Sequence, residues 1–342
     1  MRTFIQGEPG TAIDNGRGQV VQIGGPTRHE RQVSGTKARA TQLPGADVEE
    51  ESEGMPRLNH LAIVCQNPGE LKRFYASWFG FEELNRTQGG SIYMTDGYFN
   101  VGLLKQGAAD LAEDDQKLGL HHIGFQIESV EELRLRLADY DSSVKLLERP
   151  KGGYADVRLV DPEGIPIDVA EEGWGAGGQM RIPGIRHIAT ANHNSNRKFE
   201  FYSKVFGMRD AGRTDDEVDM HVAMSVGGAA DAQQRKQMRE ESVHGASGES
   251  EVRFAGDGFV NFALLGRRPT EPRPGVNHFG LLVRNPYELM HRIADEEPIR
   301  LDKRPPDRFA EYRLWDLEGN AIDLSEHKGF KVDVDKTDRI ED

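Results

Sequence analysis

Four short apolar segments of this chain carry a histidine at a matching place, and a helix-like segment follows each of them. The four segments occupy residues 58–63, 121–125, 185–189 and 276–280. Their short length, apolar character and polar ends predict β-strands. A strand–helix unit that recurs four times restricts the chain to folds built by repetition. We therefore predict an α+β protein in which one small unit occurs four times.

The helical segments and the closing turns repeat as well, and they group the four units into two pairs. The helices of the first and third units both end in Phe-Gly, at 79–80 and 206–207, where glycine suits the left-handed residue that closes a helix. Segments 158–169 and 313–324 each hold a Glu-Gly turn between alternating strands, which predicts a β-hairpin. Units one and two thus form one module, and units three and four repeat it.

The segments outside the repeats predict the domain boundaries. The beginning of the chain has no strand or helix periodicity and closes in an acidic run, which predicts a disordered leader. The end is charged and reads as a frayed tail. The predicted parts are a leader at 1–54, module one at 55–174, a glycine-rich linker at 175–184, module two at 185–330 and a tail at 331–342.

Composition excludes several classes of partner. The formal net charge is −14, from 57 acidic and 43 basic residues, and such a surface repels a nucleic-acid backbone. No apolar run approaches the roughly 20 residues that a membrane span needs, and no secretion signal is visible. Cys65 is the only cysteine and cannot form an internal disulfide. We predict a cytoplasmic protein with neither a nucleic-acid nor a membrane partner.

The four units, each with a histidine on its first strand, and the closing Asp-x-x-Gly hairpins resemble the vicinal oxygen chelate superfamily. That superfamily includes glyoxalase I, methylmalonyl-CoA epimerase, extradiol ring-cleaving dioxygenases and proteins of bleomycin and fosfomycin resistance. The likeness covers about residues 57–327. It implies four βαβββ units whose curved mixed sheets close, two units at a time, into two cups.

The resemblance also implies a divalent metal in each cup, held by ligands on facing strands. Carried over by position, the implied metal ligands are His60, His122 and Asp168 in module one and His187, His278 and Asp323 in module two. The second histidine and the aspartate are 46 residues apart in module one and 45 in module two. The two histidines are 62 residues apart in module one and 91 in module two, where a polar insertion at about 227–252 accounts for the surplus.

Two imidazoles and one carboxylate leave open positions on a divalent ion, as in non-haem Fe(II) oxygenases, and the ion then acts as Lewis acid and template. A single histidine in a strand is more often a hydrogen-bonded structural residue than a ligand. The recurrence of two histidines and one aspartate in both modules favours the interpretation of these residues as metal ligands. The cofactor expected is Fe(II), with Mn, Zn, Ni and Co as alternatives.

Departures from the superfamily pattern bear on the reaction. The carboxylate ligand is aspartate where the superfamily mostly has glutamate. Isomerases of the superfamily usually add a fourth ligand on the last strand of the first unit. Asn100 and Asn261 occupy that neighbourhood here, and each serves equally well as a turn or strand-edge hydrogen-bonding residue. This favours an open site with three protein ligands.

Candidates for acid–base catalysis are fewer. Ring-cleaving members place a tyrosine about ten residues before the carboxylate, and here Arg158 and Arg313 stand there, with Tyr312 beside the second. We take Tyr312 and Arg313 as catalytic candidates. Each arginine either holds an anionic substrate by paired hydrogen bonds or is a surface cross-strand partner. His121 is expected on the strand face opposite His122.

Three functions remain open from the sequence. The first is a non-haem Fe(II) dioxygenase that acts on an aromatic or enediol-type small molecule through adjacent oxygens. The second is a metal-dependent isomerase, epimerase or lyase that stabilises an enediolate. The third is a binding protein of the drug-resistance kind. The resemblance favours module two as the catalytic one, since ring-cleaving members work through their C-terminal module. A homo-oligomer is compatible with the sequence.

Overall fold

The computed structural model of the chain describes most of both repeated modules. The described residues are 56–108, 116–149, 154–176, 178, 180–211, 252–266, 274–304, 310–326 and 330. The predicted leader, the predicted tail and nearly all of the insertion at 227–252 lie outside them. The domain boundaries at these segments stay predictions.

The first module holds two βαβββ units in sequence. Its elements are β1 (Arg57–Cys65), α1 (Pro68–Phe79), β2 (Glu82–Arg86), β3 (Ile92–Thr95), β4 (Asn100–Lys105), β5 (Gly119–Gln126), α2 (Val130–Asp141), β6 (Leu147–Glu148), β7 (Val157–Val160) and β8 (Pro166–Ala170). The eight strands form one sheet in the order β2-β3-β4-β1-β5-β8-β7-β6.

The second module repeats this arrangement. Its elements are β9 (Gly184–Asn192), α3 (Ser195–Phe206), β10 (Arg209–Asp210), β11 (Val252–Gly256), β12 (Asn261–Gly266), β13 (Gly275–Leu282), α4 (Pro286–Glu296), β14 (Leu301–Lys303), β15 (Tyr312–Trp315) and β16 (Ala321–Ser325). The strand order is β10-β11-β12-β9-β13-β16-β15-β14, which is the order of module one. The predicted α+β class and the two tandem modules are confirmed.

The turns that the sequence marks close the elements as expected. Gly80 and Gly207 end α1 and α3 with φ of 69° and 68°, the left-handed conformation that glycine adopts without strain. In the closing hairpin of module one, Asp161 Oδ1 accepts hydrogen bonds from the backbone N–H groups of Glu163 and Ile165, both at 2.9 Å. The same bonds recur at Asp316 in module two. One aspartate thus fixes each hairpin.

Each module fixes the first helix of the other through the tip of its closing hairpin. The Glu318 carboxylate accepts the backbone N–H groups of Gln66 and Asn67, at 2.7 and 2.6 Å, just before α1. Glu163 does the same just before α3, where it accepts two N–H groups at 2.7 and 2.6 Å. An acceptor charge at a helix N-terminus satisfies orphan donors and complements the helix dipole. The contacts between the two modules are thus reciprocal.

The core runs between the sheets and helices of both modules. Phe74 and Tyr75 from α1 are fully buried, and so are their counterparts Phe201 and Tyr202 from α3. These aromatic residues pack in the hydrophobic core and are not among the predicted metal ligands. Within the described residues, no helix is long and apolar enough to span a membrane.

Candidate metal centre

The centre of each sheet aligns two of the three predicted ligands, the first histidine and the aspartate, in one row across four strands. In module one, His60 on β1 is in register with Asn100 on β4 and with Gly124 on β5, and Gly124 is in register with Asp168 on β8. The strand pairing therefore brings residues that are far apart in sequence onto one line. In module two the equivalent row is formed by Asn261, His187, Gly280 and Asp323.

The glycine in each row leaves room for an aromatic ring over the sheet. A Cβ on Gly124 would lie 2.8 Å from the Trp174 ring, 2.9 Å from His60 Cβ and 3.0 Å from the backbone oxygen of Asp168. No side chain fits there, so Trp174 stacks on His60 with ring centroids 4.8 Å apart. In module two, Phe330 stacks on the first histidine of the row with the same centroid separation.

In module one the three predicted ligands converge at one point. His60 Nε2 and His122 Nε2 are 3.4 Å apart, and His122 Nε2 is 3.1 Å from Asp168 Oδ2. All three side chains are buried. In the part of the chain that the structure describes, this is the one set of three His, Cys, Asp or Glu residues whose ligand atoms all lie within 4.8 Å of one another.

Module two brings its predicted ligands together in nearly the same way. His187 Nε2 and His278 Nε2 are 3.3 Å apart, and His278 Nε2 is 3.3 Å from Asp323 Oδ2. The three side chains are buried. The convergence is looser than in module one, because this set does not meet the 4.8 Å limit for every pair of ligand atoms.

The hydrogen bonds that the Nδ1 atoms make determine whether the Nε2 atoms carry a proton. His187 Nδ1–H donates to Asn261 Oδ1 at 2.8 Å, and His278 Nδ1–H donates to Asn277 Oδ1 at 2.8 Å. Neutral imidazoles held in this way present unprotonated Nε2 atoms, here 3.3 Å from each other and beside the Asp323 carboxylate. The lone pairs of these nitrogen and oxygen atoms converge with no proton between them, so they can coordinate a cation. The donor set fits a divalent metal.

The first histidine of module one is held in the same way. His60 Nδ1–H donates to Asn100 Oδ1 at 2.9 Å, and the amide nitrogen of Asn100 donates to the backbone oxygen of Trp174 at 3.1 Å. The Asn100 oxygen is thus already an acceptor. Asn100 and its counterpart Asn261 therefore orient the first histidine of each cluster.

Burial keeps the histidines neutral. Burial, with the neighbouring His122, lowers the pKa of His60 to about 3, and burial, with His278, lowers the pKa of His187 to about 3. The pKa of His122 and that of His278 are also lowered, mainly by burial. A metal-ligating histidine has to be neutral, so these imidazoles are competent ligands at physiological pH.

An arginine clamps the carboxylate of each cluster. Arg158 donates to Asp168 through Nε at 2.6 Å and through Nη2 at 2.9 Å, and Arg313 makes the same pair of bonds to Asp323 at 2.5 and 2.9 Å. Burial alone would raise the pKa of Asp168, but the charge and the two hydrogen bonds of Arg158 outweigh it and hold the pKa well below its ordinary value. The carboxylate stays ionised and keeps lone pairs free for a metal.

The structure corrects the expected position of these arginines. Arg158 is in register with Asp168, and Arg313 with Asp323, so each is a cross-strand partner. Arg158 is buried, however, and Arg313 is largely so, which makes the expectation of a surface pair wrong. Tyr312 follows the alternation of β15 and packs against the hydrophobic core on the face opposite Arg313. The structure therefore does not bring Tyr312 to the cluster.

A β-bulge overturns the expected orientation of His121. His122 is paired with Ala62, but the next pair joins Ile63 to Leu120, so His121 is the extra residue. The bulge interrupts strand alternation and puts His121 Nδ1 2.7 Å from His122 Nδ1. Module two has the same irregularity at Asn277, the residue that holds the second histidine of that cluster. In each module the bulged residue thus contacts the second ligand histidine.

The cluster of module one lines a pocket with an empty volume of about 460 Å³, which includes its open mouth. Tyr93 and Tyr154 stack on each other in its wall with ring centroids 3.4 Å apart. Burial raises the pKa of Tyr154, so its hydroxyl stays protonated. Sequence reasoning missed both tyrosines, because it searched only the position ten residues before the carboxylate. By repeat alignment module two has Phe254 and Phe309 instead, without hydroxyl groups.

The buried histidines predict a loss of stability in acid. The unfolded chain protonates its histidines near pH 6.5 but the folded chain does so only near 3, so stability is full above 6.5 and is lost as the pH falls through this window. We expect the free energy of unfolding of metal-free protein to fall by about 1 kcal/mol per buried histidine from pH 6.5 to 5.5. Urea unfolding at the two pH values measures it.

The control for this prediction is a histidine outside the clusters. Replacing exposed His291 by glutamine should leave the pH dependence unchanged, whereas His187→Gln should flatten it. Equal urea midpoints at pH 7.5 and 5.5 in the parent protein would show that the histidines are not held neutral.

Comparison with known proteins gives a family match for the first module. Residues 57–169, which are the whole of the first module from β1 into β8, match the sequence model of the glyoxalase/bleomycin resistance protein/dioxygenase superfamily. A search of curated protein sequences finds no match.

Solved structures share the two-module fold. The 2,3-dioxygenase LapB from Pseudomonas sp. KL28 is 15% identical, with a TM-score of 0.54 over 80% of this chain and 93% of that chain. A Mn(II)-bound glyoxalase from Novosphingobium aromaticivorans is 16% identical, with a TM-score of 0.56 over 82% and 85%. Homoprotocatechuate 2,3-dioxygenase from Arthrobacter globiformis is 14% identical, with a TM-score of 0.54 over 82% and 83%. At these identities the likeness concerns the fold.

Proposed function

We propose that this chain, whose residues 57–169 belong to the glyoxalase/bleomycin resistance protein/dioxygenase superfamily, is a metal-dependent enzyme that acts on a small molecule with two adjacent oxygens. The reaction we propose is that of a non-haem Fe(II) dioxygenase. The observation that carries the proposal is the convergence, in both modules, of two neutral imidazoles and one ionised carboxylate.

His60, His122 and Asp168 would hold the ion in module one, and His187, His278 and Asp323 would hold one in module two. A divalent ion bound there would supply a Lewis acid with open positions for substrate oxygens and dioxygen. The buried environment strengthens every electrostatic interaction at such a site.

The surrounding residues fix the ligands and shape the pocket. Asn100 holds the His60 ring so that Nε2 points to the cluster, and Trp174 covers the same ring. Arg158 fixes both oxygens of Asp168 and keeps this carboxylate ionised. The protonated hydroxyl of Tyr154, in the pocket wall, is a hydrogen-bond donor for a substrate oxygen. The site is preorganised, since the hydrogen bonds that hold His60 and Asp168 are already formed.

Of the two modules we propose module one as the catalytic one. The resemblance of the sequence favours module two, but three features of the described residues favour module one. Its three ligand atoms all lie within 4.8 Å of one another, its cluster lines a pocket, and the wall of that pocket carries the hydroxyl of Tyr154. A second metal ion in module two is part of the same proposal.

The number of ligands favours a dioxygenase over an isomerase. Superfamily isomerases usually use a fourth protein ligand, and the oxygen of Asn100 already accepts a hydrogen bond from His60. Three protein ligands leave room for a chelating substrate and for dioxygen. One observation favours the second candidate, an enediolate-stabilising lyase or isomerase: Arg158 stands where ring-cleaving members place a tyrosine.

The test combines metal analysis with dioxygen consumption. We expect freshly purified protein to contain a divalent metal, and we expect protein reconstituted with Fe(II) to consume dioxygen when catechols are added. The same preparation is then given the hemithioacetal of methylglyoxal, a glyoxalase substrate. Turnover of that compound without dioxygen uptake would replace the dioxygenase by the lyase or isomerase. Purified protein that neither contains nor takes up metal would contradict the enzyme proposal and favour a binding protein.

A further inference from the structure

The pocket of module one contains a cation that the proposed metal site does not use. Arg149 follows β6, is half-buried and lines the same pocket as His60, His122 and Asp168. The backbone N–H of Arg149 donates to the backbone oxygen of Asp156 at 2.9 Å, and this bond fixes the Arg149 backbone beside β7. Among the residues that the structure describes, no carboxylate forms an ion pair with its guanidinium.

The charges of the pocket therefore do not cancel. Arg158 and Asp168 neutralise each other through two hydrogen bonds, so Arg149 leaves one positive charge before any metal binds. A divalent ion would make the pocket more positive still. The chain as a whole has a formal net charge of −14, which makes a positive pocket an exception on an acidic protein. A concave site of one sign attracts ligands of the opposite sign.

The same arginine recurs in module two. Arg304 follows β14, its backbone N–H donates to the oxygen of Glu311 at 2.9 Å, and it precedes Arg313 by nine residues, as Arg149 precedes Arg158. An arginine nine residues before the arginine that clamps the carboxylate is thus a property of the repeated unit.

We infer that Arg149 binds a carboxylate of the substrate while the metal cluster holds two adjacent oxygens, so that the substrate class is a chelating organic acid. The inference rests on the proposed function and narrows its substrate. A guanidinium donates two parallel hydrogen bonds to a carboxylate, which gives geometric selection as well as charge. The stacked rings of Tyr93 and Tyr154 in the same wall suit a flat, conjugated molecule.

The experiment compares two probes of one shape in the metal-loaded full chain. 3,4-Dihydroxybenzoate and 3,4-dihydroxybenzamide present the same pair of oxygens, but only the first is an acid at the far end. Calorimetric titration should give an affinity about tenfold higher for the benzoate. Arg149→Gln should remove this preference and leave metal content unchanged, and Arg149→Lys should retain part of it. The double variant Arg149→Gln/Arg304→Gln extends the test to the case in which both modules bind the probe.

The matched control is Arg134→Gln, which removes the same charge from the surface of α2, where Arg134 pairs with Glu148 at the neighbouring β6. It should keep the tenfold preference. A preference that is absent from the parent chain, or that survives in the double variant, would overturn the inference while metal binding stands. Absence of metal would instead overturn the proposed function, and the two failures are distinguishable.

Discussion

Asp168→Ala is expected to abolish turnover and to remove about one metal ion per chain. Asp168 is the only carboxylate in the module-one cluster, and its loss leaves two histidines, too few to hold Fe(II) against water and cellular chelators. It also leaves Arg158 buried without its partner, which raises electrostatic repulsion toward any cation there. Elemental analysis and dioxygen uptake, measured on the same preparation, test both effects.

Asp323→Ala in module two is the matched comparison. It removes the equivalent carboxylate from an equivalent arginine clamp, so the two variants suffer the same damage to folding. We expect Asp323→Ala to lower metal content and to leave most of the turnover. Activity lost in Asp323→Ala and kept in Asp168→Ala would show module two to be catalytic, as the resemblance of the sequence favours. Unchanged metal content in both would contradict the metal sites themselves.

A conservative change separates metal binding from substrate positioning. Asp168→Glu restores the residue that is usual in the superfamily but lengthens the side chain by one methylene. The row of Asn100, His60, Gly124 and Asp168 spans adjacent strands of fixed spacing, so a longer ligand moves the ion toward the histidines. Turnover should therefore fall more than metal affinity.

Much of this arrangement is readable from the sequence because it rests on repetition. Histidines on the first strand of each unit and an aspartate on the last strand of each closing hairpin recur at matching spacing, and strand pairing brings them together. Their convergence needs only the strand order, which the resemblance supplies. The Phe-Gly helix ends are equally local, since one glycine at positive φ decides each of them.

The parts that were not predicted depend on contacts between distant side chains or on irregular backbone. His121 was expected on the far face because alternation was assumed, and a one-residue bulge reverses that. Trp174 reaches His60 only because Gly124 leaves a gap beside it, and no sequence pattern links these three residues. Cross-strand pairing says nothing about burial, so the sequence leaves the environment of Arg158 open, and the structure buries it.

The two modules differ at a buried position in their first helices. α1 and α3 align residue by residue, and their fourth residues are Leu71 and Lys198, both fully buried. The Lys198 ammonium lies 2.8 Å from Asp161 Oδ2 in the hairpin of module one, and both side chains are completely shielded from solvent. Burial lowers the pKa of Lys198, and Asp161 opposes this. The pair is an ionic contact across the module interface.

Asp161→Asn is expected to destabilise the chain by about 3–5 kcal/mol, because it leaves a buried ammonium without its counter-charge. The amide keeps an oxygen for the hairpin N–H groups that Asp161 accepts, so the turn itself survives. Lys198→Leu should cost less than Asp161→Asn, because the Asp161 carboxylate keeps the Tyr202 hydroxyl at 3.1 Å and the hairpin N–H groups as donors. Urea unfolding of the full chain gives both values.

The double variant Asp161→Asn/Lys198→Leu supplies the decisive comparison. If the cost of Asp161→Asn comes from the stranded charge of Lys198, then removing that charge should recover most of the lost stability. Module one shows that leucine fits this position against the same backbone. If instead the double variant loses as much stability as the two single variants together, the loss in Asp161→Asn comes from the hairpin that Asp161 closes. The buried ion pair would then contribute little to holding the modules together.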